Sequence, residues 1–204
     1  MRETSIGACA LMLAVSLSCG GGDKALRDAT EEDLPKLVLQ QEDVPGGSQG
    51  TDSCGETGAD DVFQLGGAIH SFSAAYDVSG IEAQQISCLQ STVGLYRSAD
   101  EALSYLRGLD AAYFEGEQPA QAPPDAVAQK IKVPKLGDYA SGLVIKYAEG
   151  SELESHVYQI QIQQRNVRSP ITIIGGPDEK VVDRASEYAE KQTERIETVL
   201  RPAQ

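Results

Sequence analysis

The chain has 204 residues, of which 41% are hydrophobic and 24% are charged, and its formal net charge is -14. This length predicts one domain with a short additional segment, and the apolar fraction is large enough to fill a core. The acidic excess argues against nucleic acid as a partner and against docking on an anionic membrane face, because both depend largely on Lys and Arg.

The N-terminus has the features of a signal peptide. Arg2 precedes an apolar stretch over residues 6–17, which has the length of a signal-peptide hydrophobic region and is too short to span a bilayer. Small residues and Cys19 follow, and then a run of glycines. We therefore expect residues 1–18 to be removed from the mature protein.

The small residues before Cys19 and the glycines after it resemble the lipobox of bacterial lipoproteins. The resemblance implies cleavage after Ser18 and acylation of Cys19, on its thiol and on the new amino terminus, by chains such as palmitate. Several acyl chains hold a protein stably at a membrane that it does not cross. The expected location is therefore the cell envelope, outside the cytoplasm and facing the periplasm or the surface. The alternative is ordinary secretion, with Cys19 left as a thiol.

The segment after the lipobox is predicted to be a flexible, lipid-anchored tether over residues 19–33, because glycines are followed by mixed charges. A single domain is expected over residues 34–204, and Pro35 predicts that a short helix begins it. Residues 46–61 form a Gly/Ser/Asp-rich loop. Its carboxylates lack the EF-hand spacing, so no metal or cofactor is expected, with a calcium site as the alternative. They belong to Asp52, Glu56, Asp60 and Asp61.

The cysteines fit an exported protein. Cys9 leaves with the signal peptide and Cys19 carries the lipid, so Cys54 and Cys88 remain. An even pair in an exported chain predicts one disulfide, which would contribute roughly 2–4 kcal/mol by closing the intervening loop. A redox dithiol is the alternative, but the sequence lacks the Cys-x-x-Cys arrangement typical of it.

Alternating apolar and polar residues predict strands over residues 68–78 and 85–96. Ser98 and Glu101 then form a capping box, which predicts the start of a helix. Residues 115–129 are rich in Pro, Ala and Gln and are expected to be an exposed connection.

The second half of the chain predicts three strands and a final helix. A lead-in over residues 131–136 precedes strands over 139–147 and 156–163, and a last strand is expected over 171–174. Asp178 is the predicted cap of a long C-terminal helix.

The predicted strands come in adjacent runs, and helices separate one run from the next. This pattern predicts an α+β fold. We expect an antiparallel sheet with the helices packed on one of its faces, as a two-layer sandwich. Gln159, Gln161 and Gln163 alternate with apolar residues on one strand, which predicts that the other face of the sheet is wet.

Little in the sequence indicates catalysis, and no catalytic residue is assigned. Residues 46–50 match the G-x-S-x-G pattern of a hydrolase nucleophile, but turn-forming residues surround them instead of the strand and helix that this motif requires. His70 and His156 lie on the apolar sides of predicted strands. They are either packed residues bonded to neighbouring groups, or a convergent pair that contacts a ligand or a metal.

A small α+β domain with one expected disulfide resembles the extracytoplasmic sensor domains of bacterial receptor kinases. Those are also small, disulfide-stapled α+β modules with ligand clefts, and the resemblance implies a binding function. No site residue is carried over from it.

The sequence thus predicts a lipid-anchored, non-catalytic binding module for a small molecule or lipid. An envelope protein-interaction or assembly factor is the alternative, using the Gln-rich sheet face or an edge strand, and a hydrolytic enzyme comes third. The ligand cleft is expected between the sheet and the helices. The candidate ligand-contacting residues are His70, Phe72, Tyr76, Tyr147, His156 and Tyr158.

Overall fold

The computed structural model describes residues 25–50, 58–59, 66–78, 86–114, 126–147 and 156–202. The strands within them are β1 (Ser48–Gln49), β2 (Gly58–Ala59), β3 (His70–Asp77), β4 (Ile86–Leu95), β5 (Ala126–Ile131), β6 (Tyr139–Tyr147), β7 (His156–Gln164) and β8 (Val167–Gly175). The α-helices are α1 (Leu34–Leu37), α2 (Ala99–Phe114) and α3 (Glu179–Leu200).

All of these strands belong to one antiparallel sheet, in the order β1-β3-β4-β8-β7-β6-β5, with β2 also pairing with β3. The predicted α+β class and antiparallel pairing are therefore confirmed. The largest difference concerns β5, because residues 131–136 were expected only as a lead-in to the strand over 139–147. The strand β5 begins at Ala126, opposite Tyr147, inside the segment predicted to be an exposed connection. Its Ala and Lys residues have weak strand propensity, so pairing with β6 decides its position.

The apolar face of the sheet is covered by α1 and α3. Tyr158, Ile160 and Ile162 of β7 alternate onto this face and join one core cluster with side chains of α3. A polar link crosses the same interface: Ser91 accepts a hydrogen bond from the Leu39 amide at 2.9 Å and donates one to Gln192 of α3 at 2.7 Å.

Helix α2 packs on the opposite face, so the prediction of helices on one face in a two-layer sandwich is wrong. Tyr139 and Ser141 of β6 donate hydrogen bonds from that face to Asp110 of α2, at 2.7 and 2.8 Å. The guanidinium of Arg168 lies over the ring of Tyr105 of α2, 5.1 Å from its centroid. Helical periodicity identifies the packed side of a helix, but it carries no information about which sheet face that side meets.

The predicted wet face is buried where α2 covers it. Gln161 and Gln163 are only 2% and 1% exposed. Gln161 accepts a hydrogen bond from Nε of Arg168 at 2.9 Å, which compensates its burial. The alternation of glutamines therefore reflects a buried polar layer under α2 and not a solvated surface.

The segment predicted to be a flexible tether over residues 19–33 is packed against the domain from residue 25 onward. The amide of Arg27 donates to the Leu200 carbonyl at the end of α3, at 3.0 Å. Asn166 accepts from the Ala29 amide at 2.8 Å and donates to the Ala29 carbonyl at 3.1 Å. Asp33 also accepts two hydrogen bonds from the Arg27 guanidinium, which hold its pKa well below the usual range. These partners are distant in sequence, so local composition could not reveal them.

The helix starts at residues 98 and 178 are confirmed. Ser98 accepts a hydrogen bond from the Glu101 amide at 3.1 Å, although the Glu101 carboxylate reaches the amide of Arg97 and not that of Ser98. Asp178 accepts from the Lys180 amide at 2.9 Å. Among the described residues, no helix combines the length and the apolar character needed to cross a membrane.

Several predictions concern residues outside the described ranges. The signal peptide, Cys19 and the four loop carboxylates considered for calcium all lie there. Cys54 does as well, so the disulfide stays a prediction. Its expected partner, Cys88, is 5% exposed and packs against Ala75 and Ile174.

Candidate functional site

The two histidines do not converge. His70 begins β3 and pairs with Leu95 of β4, and Leu95 pairs in turn with Val167 at the start of β8. His156 begins β7 and pairs with Gly175 at the end of β8. The length of β8 therefore separates them along the strand direction, about 26 Å at 3.3 Å per residue. A site formed by both histidines is not compatible with this register.

His70 and the aromatic residues of β3 have structural surroundings. The His70 side chain is 45% exposed, and its Nε2 lies 3.4 Å from a carboxylate oxygen of Glu31. Phe72 is partly buried against the main core. Tyr76 is fully buried and donates a hydrogen bond to the Leu39 carbonyl at 2.7 Å, and burial raises its pKa to about 12. These contacts hold the N-terminal helices on the sheet.

Two of the candidate residues do meet, on β7. The rings of His156 and Tyr158 lie 6.3 Å apart between centroids. Tyr158 is 4% exposed and donates a hydrogen bond to the Gly176 carbonyl at 2.9 Å. Burial, with a smaller contribution from the Asp178 carboxylate, raises the pKa of Tyr158. The backbone of Tyr147 pairs with β5 nearby, while its side chain is outside the described part of the structure.

His156 and Tyr158 line a cleft of about 190 Å³ between strands β5–β7 and the first turn of α3. We call it the sheet–helix cleft. Its other walls are mostly apolar, with Lys146 and the acidic cap of α3 as the charged groups beside it. The residues that matter for its chemistry are Ile131, Val144, Lys146, His156, Tyr158, Asp178 and Val182.

The imidazole of His156 is the chemically notable group of this cleft. Its Nδ1 is buried and has no hydrogen-bond partner among the described residues. Because Nδ1 has no accessible surface, a ligand in the cleft meets the ring at its other atoms.

The second wall of the cleft could not be predicted from the sequence. Ile131 and Gln129 line it because β5 lies beside β6, whereas the sequence placed residue 129 in a connection. The six residues of β5 show no strict alternation of apolar and polar side chains, so periodicity gives no signal for this strand.

Arg168 is a second residue of interest that no sequence pattern indicates. It is 5% exposed, and no carboxylate lies within ion-pair distance of it among the described residues. Its charge is met instead by Gln161 and by the face of Tyr105. It also lies beside Tyr96, whose pKa is raised by burial against the opposing effect of Arg168. This arrangement anchors α2 to the polar face of the sheet.

In the G-x-S-x-G segment, a turn at Gly46 precedes a two-residue strand at Ser48–Gln49, and no helix follows the serine directly. Ser48 is exposed and belongs to β1, where it pairs with Asp77 of β3. The nucleophile motif needs its serine at a sharp turn between a strand and a helix. Among the described residues, no group of three or more His, Cys, Asp or Glu side chains is placed to hold a metal ion.

Comparison with known proteins finds a likeness of structure only. No family model matches the chain, and no curated protein matches it. Among solved structures, it is similar to the extracellular domain of PknH from Mycobacterium tuberculosis, with a TM-score of 0.50 and 11% sequence identity. The match covers 83% of this chain and 100% of that one. The likeness shows a shared fold.

Proposed function

We propose that the protein is a lipid-anchored extracytoplasmic binding module without catalytic activity, and that it binds a small molecule or lipid in the sheet–helix cleft. The observation that carries this proposal is a mostly apolar cleft in which His156 and Lys146 stand beside apolar side chains of β5, β6 and α3. The lipobox-like sequence around Cys19 supports the anchor and the location. The fold shared with an extracellular domain supports the location as well.

The cleft favours a compact occupant. Its volume of about 190 Å³ is below the roughly 300–1,000 Å³ typical of drug-sized ligands. Apolar walls beside Lys146 and His156 match a short hydrocarbon that carries a single polar group. A short-chain carboxylate meets this description, because its tail contacts Ile131, Val144 and Val182 while its oxygens reach His156 or Lys146.

The test uses the fact that the chain has two histidines. In a protein labelled only at histidine, NMR resolves the His156 ring from that of His70, which serves as an internal control at the other end of the sheet. We expect butyrate, hexanoate or octanoate to shift the His156 ring signals saturably and to leave those of His70 in place.

Two matched variants locate the effect in the cleft. Val182→Phe fills the cleft and is expected to abolish the shift, whereas Val182→Ala leaves it open and keeps the shift. The proposal fails if no carboxylate of the series moves the His156 signals, or if Val182→Phe binds as well as Val182→Ala does.

A protein-interaction or assembly role is the second candidate. The Gln-rich face no longer supports it because α2 covers that face, but β5 ends the strand order and carries Val127, which is 52% exposed. A photo-crosslinker at residue 127 that captures one envelope protein in cells, while one at the similarly exposed Ile69 does not, would favour this role. A hydrolytic enzyme has the least support, since the strand register places His70 and His156 at opposite ends of the sheet.

A further inference from the structure

Two polar side chains stand next to each other in the sheet–helix cleft. The pairing of Ile145 with Val157 sets the next residues, Lys146 of β6 and His156 of β7, opposite each other across the strands. Side chains in such a position have Cβ atoms about 4.5–5.5 Å apart. Lys146 and His156 both line the cleft, so they point to the same face of the sheet and meet one ligand together.

The ammonium of Lys146 has no anionic partner within the described part of the chain. Its side chain is partly buried, and no ion pair there includes it. Of the two carboxylates that line the cleft, Asp178 accepts from the Lys180 amide at the start of α3, and Glu179 is exposed. An ammonium only donates hydrogen bonds, so Lys146 brings unused donors to the cleft.

The ring of His156 has one buried and one accessible nitrogen. Nδ1 is buried without a partner among the described residues, whereas Nε2 is neither buried in this way nor hydrogen-bonded to any of them. Because the ring lines the cleft, Nε2 is the ring nitrogen that a ligand can reach.

This difference decides which nitrogen carries the proton of the neutral ring. A neutral imidazole has one N–H donor, and its other nitrogen is an acceptor. A proton on Nδ1 would bury an N–H group without an acceptor, and such orphaned N–H groups are rarer in protein interiors than acceptors with unused capacity. A proton on Nε2 is instead available to water or to a ligand. The structure therefore favours the tautomer in which His156 offers an N–H from Nε2.

We propose that His156 is held as the Nε2–H tautomer and that, together with Lys146, it makes the sheet–helix cleft selective for a carboxylate over an ammonium of the same chain length. This inference rests on the proposed function, because it assigns the polar contacts of the ligand expected there. Two neighbouring donors match the two oxygens of one carboxylate. An alkylammonium meets two groups that only donate, one of them positively charged.

The tautomer is tested in the ligand-free full chain, labelled with ¹⁵N at histidine. At about pH 8.5 free imidazole is neutral, so the nitrogen shifts report the tautomer. We expect Nε2 of His156 to have the shift of a protonated nitrogen and Nδ1 that of an unprotonated one. His156→Gln removes these signals and so separates them from those of His70. Shifts of an Nδ1–H tautomer, or of an even mixture of the two, would overturn the assignment.

The selectivity is tested by calorimetry with hexanoate and hexylamine, which differ only in the polar group. We expect hexanoate to bind at least about tenfold more tightly. Lys146→Met keeps the apolar stem without the ammonium, and it should weaken hexanoate binding by about tenfold. Lys180→Met is the matched control, since Lys180 is exposed and lies outside the cleft lining.

A second pair of variants tests the ring itself. His156→Gln keeps an N–H donor at the end of the side chain, whereas His156→Met removes it. We expect hexanoate to bind His156→Gln more tightly than His156→Met, and equal affinities would count against a donor at this position.

The outcomes separate this inference from the proposed function. If hexanoate binds but hexylamine binds as tightly, or if Lys146→Met binds hexanoate as tightly as Lys180→Met does, the selectivity is overturned and the cleft remains a binding site. If neither compound binds, the selectivity and the proposed function both fail, whichever tautomer is observed.

Discussion

At the scale of single residues, the same side-chain type serves different purposes at the two ends of the sheet. Tyr76 and Tyr158 are both buried, and both donate to backbone carbonyls. Both belong to the main core cluster, but only Tyr158 also lines the sheet–helix cleft. Sequence alternation predicted that both point to the apolar face. It could not tell a core position from a cleft wall, because that depends on how far α3 extends along each strand.

The Tyr76 hydroxyl gives a stability prediction. Tyr76→Phe leaves the buried Leu39 carbonyl without this donor, so we expect the free energy of unfolding to fall by about 1–2 kcal/mol. Tyr188→Phe is the matched control, since no hydrogen bond of its hydroxyl to a described residue is present. Urea denaturation of the two variants measures the difference, and equal losses would contradict the assigned role of the Tyr76 hydroxyl.

The raised pKa of Tyr76 also predicts an alkaline limit to stability. The folded chain keeps the Tyr76 proton up to about pH 12, while the unfolded chain loses it near 10.0. The folded state therefore binds more protons in this window, and its stability falls as the pH rises, by about 2–3 kcal/mol from this group. Tyr76→Phe should show a shallower alkaline decline than the unchanged chain, and an identical decline would contradict the prediction.

At the scale of elements, the sequence predicted which elements exist better than where they pack. β3, β4, β6 and β7 and the starts of α2 and α3 follow from alternation and capping residues. The position of β5 and the sheet face under α2 depend on long-range partners such as Tyr147 and Arg168. The same holds for the candidate site. Alternation placed His156 and Tyr158 on one side of a predicted strand, but it did not predict that β5 forms another wall of the cleft.

Arg168 tests how α2 is attached. Arg168→Lys removes the planar group that both donates to Gln161 and stacks on Tyr105, and it leaves a buried ammonium with fewer partners. We expect a loss of about 1–3 kcal/mol in the free energy of unfolding. Arg97→Lys changes an arginine whose side chain is 76% exposed and should have little effect. Similar values for the two variants would show that the buried contact contributes little.

The packing of residues 25–33 gives a truncation prediction. A chain that begins at residue 25 keeps the contacts of Arg27 and Ala29, whereas one that begins at residue 34 loses them. At about 1 kcal/mol per hydrogen bond, we expect the shorter chain to be about 2–4 kcal/mol less stable at neutral pH. Because the pKa of Asp33 is lowered in the folded chain, this difference should shrink as the pH falls below about 4. Equal stability of both chains would contradict this account and would favour the prediction of a flexible tether over residues 19–33.

At the scale of the whole molecule, the sheet–helix cleft and the point where the chain leaves toward Cys19 lie at opposite ends of α3. The Arg27 amide is bonded to the Leu200 carbonyl at the last turn of that helix, whereas the cleft is lined by its first turn. If Cys19 carries lipid, residues 20–24 span at most roughly 20 Å when extended, which places the cleft on the side of the domain away from the membrane.

The central claim is that a lipid-held domain carries a small ligand, and intact mass tests it most directly. Full-length protein extracted from its native membrane is weighed under native and then under denaturing conditions. We predict a denatured mass equal to residues 19–204 plus acyl chains, less two hydrogens for the Cys54–Cys88 bond. We also predict extra native mass that is lost on denaturation and is absent from Val182→Phe. An unacylated chain with the same mass under both conditions would contradict the account.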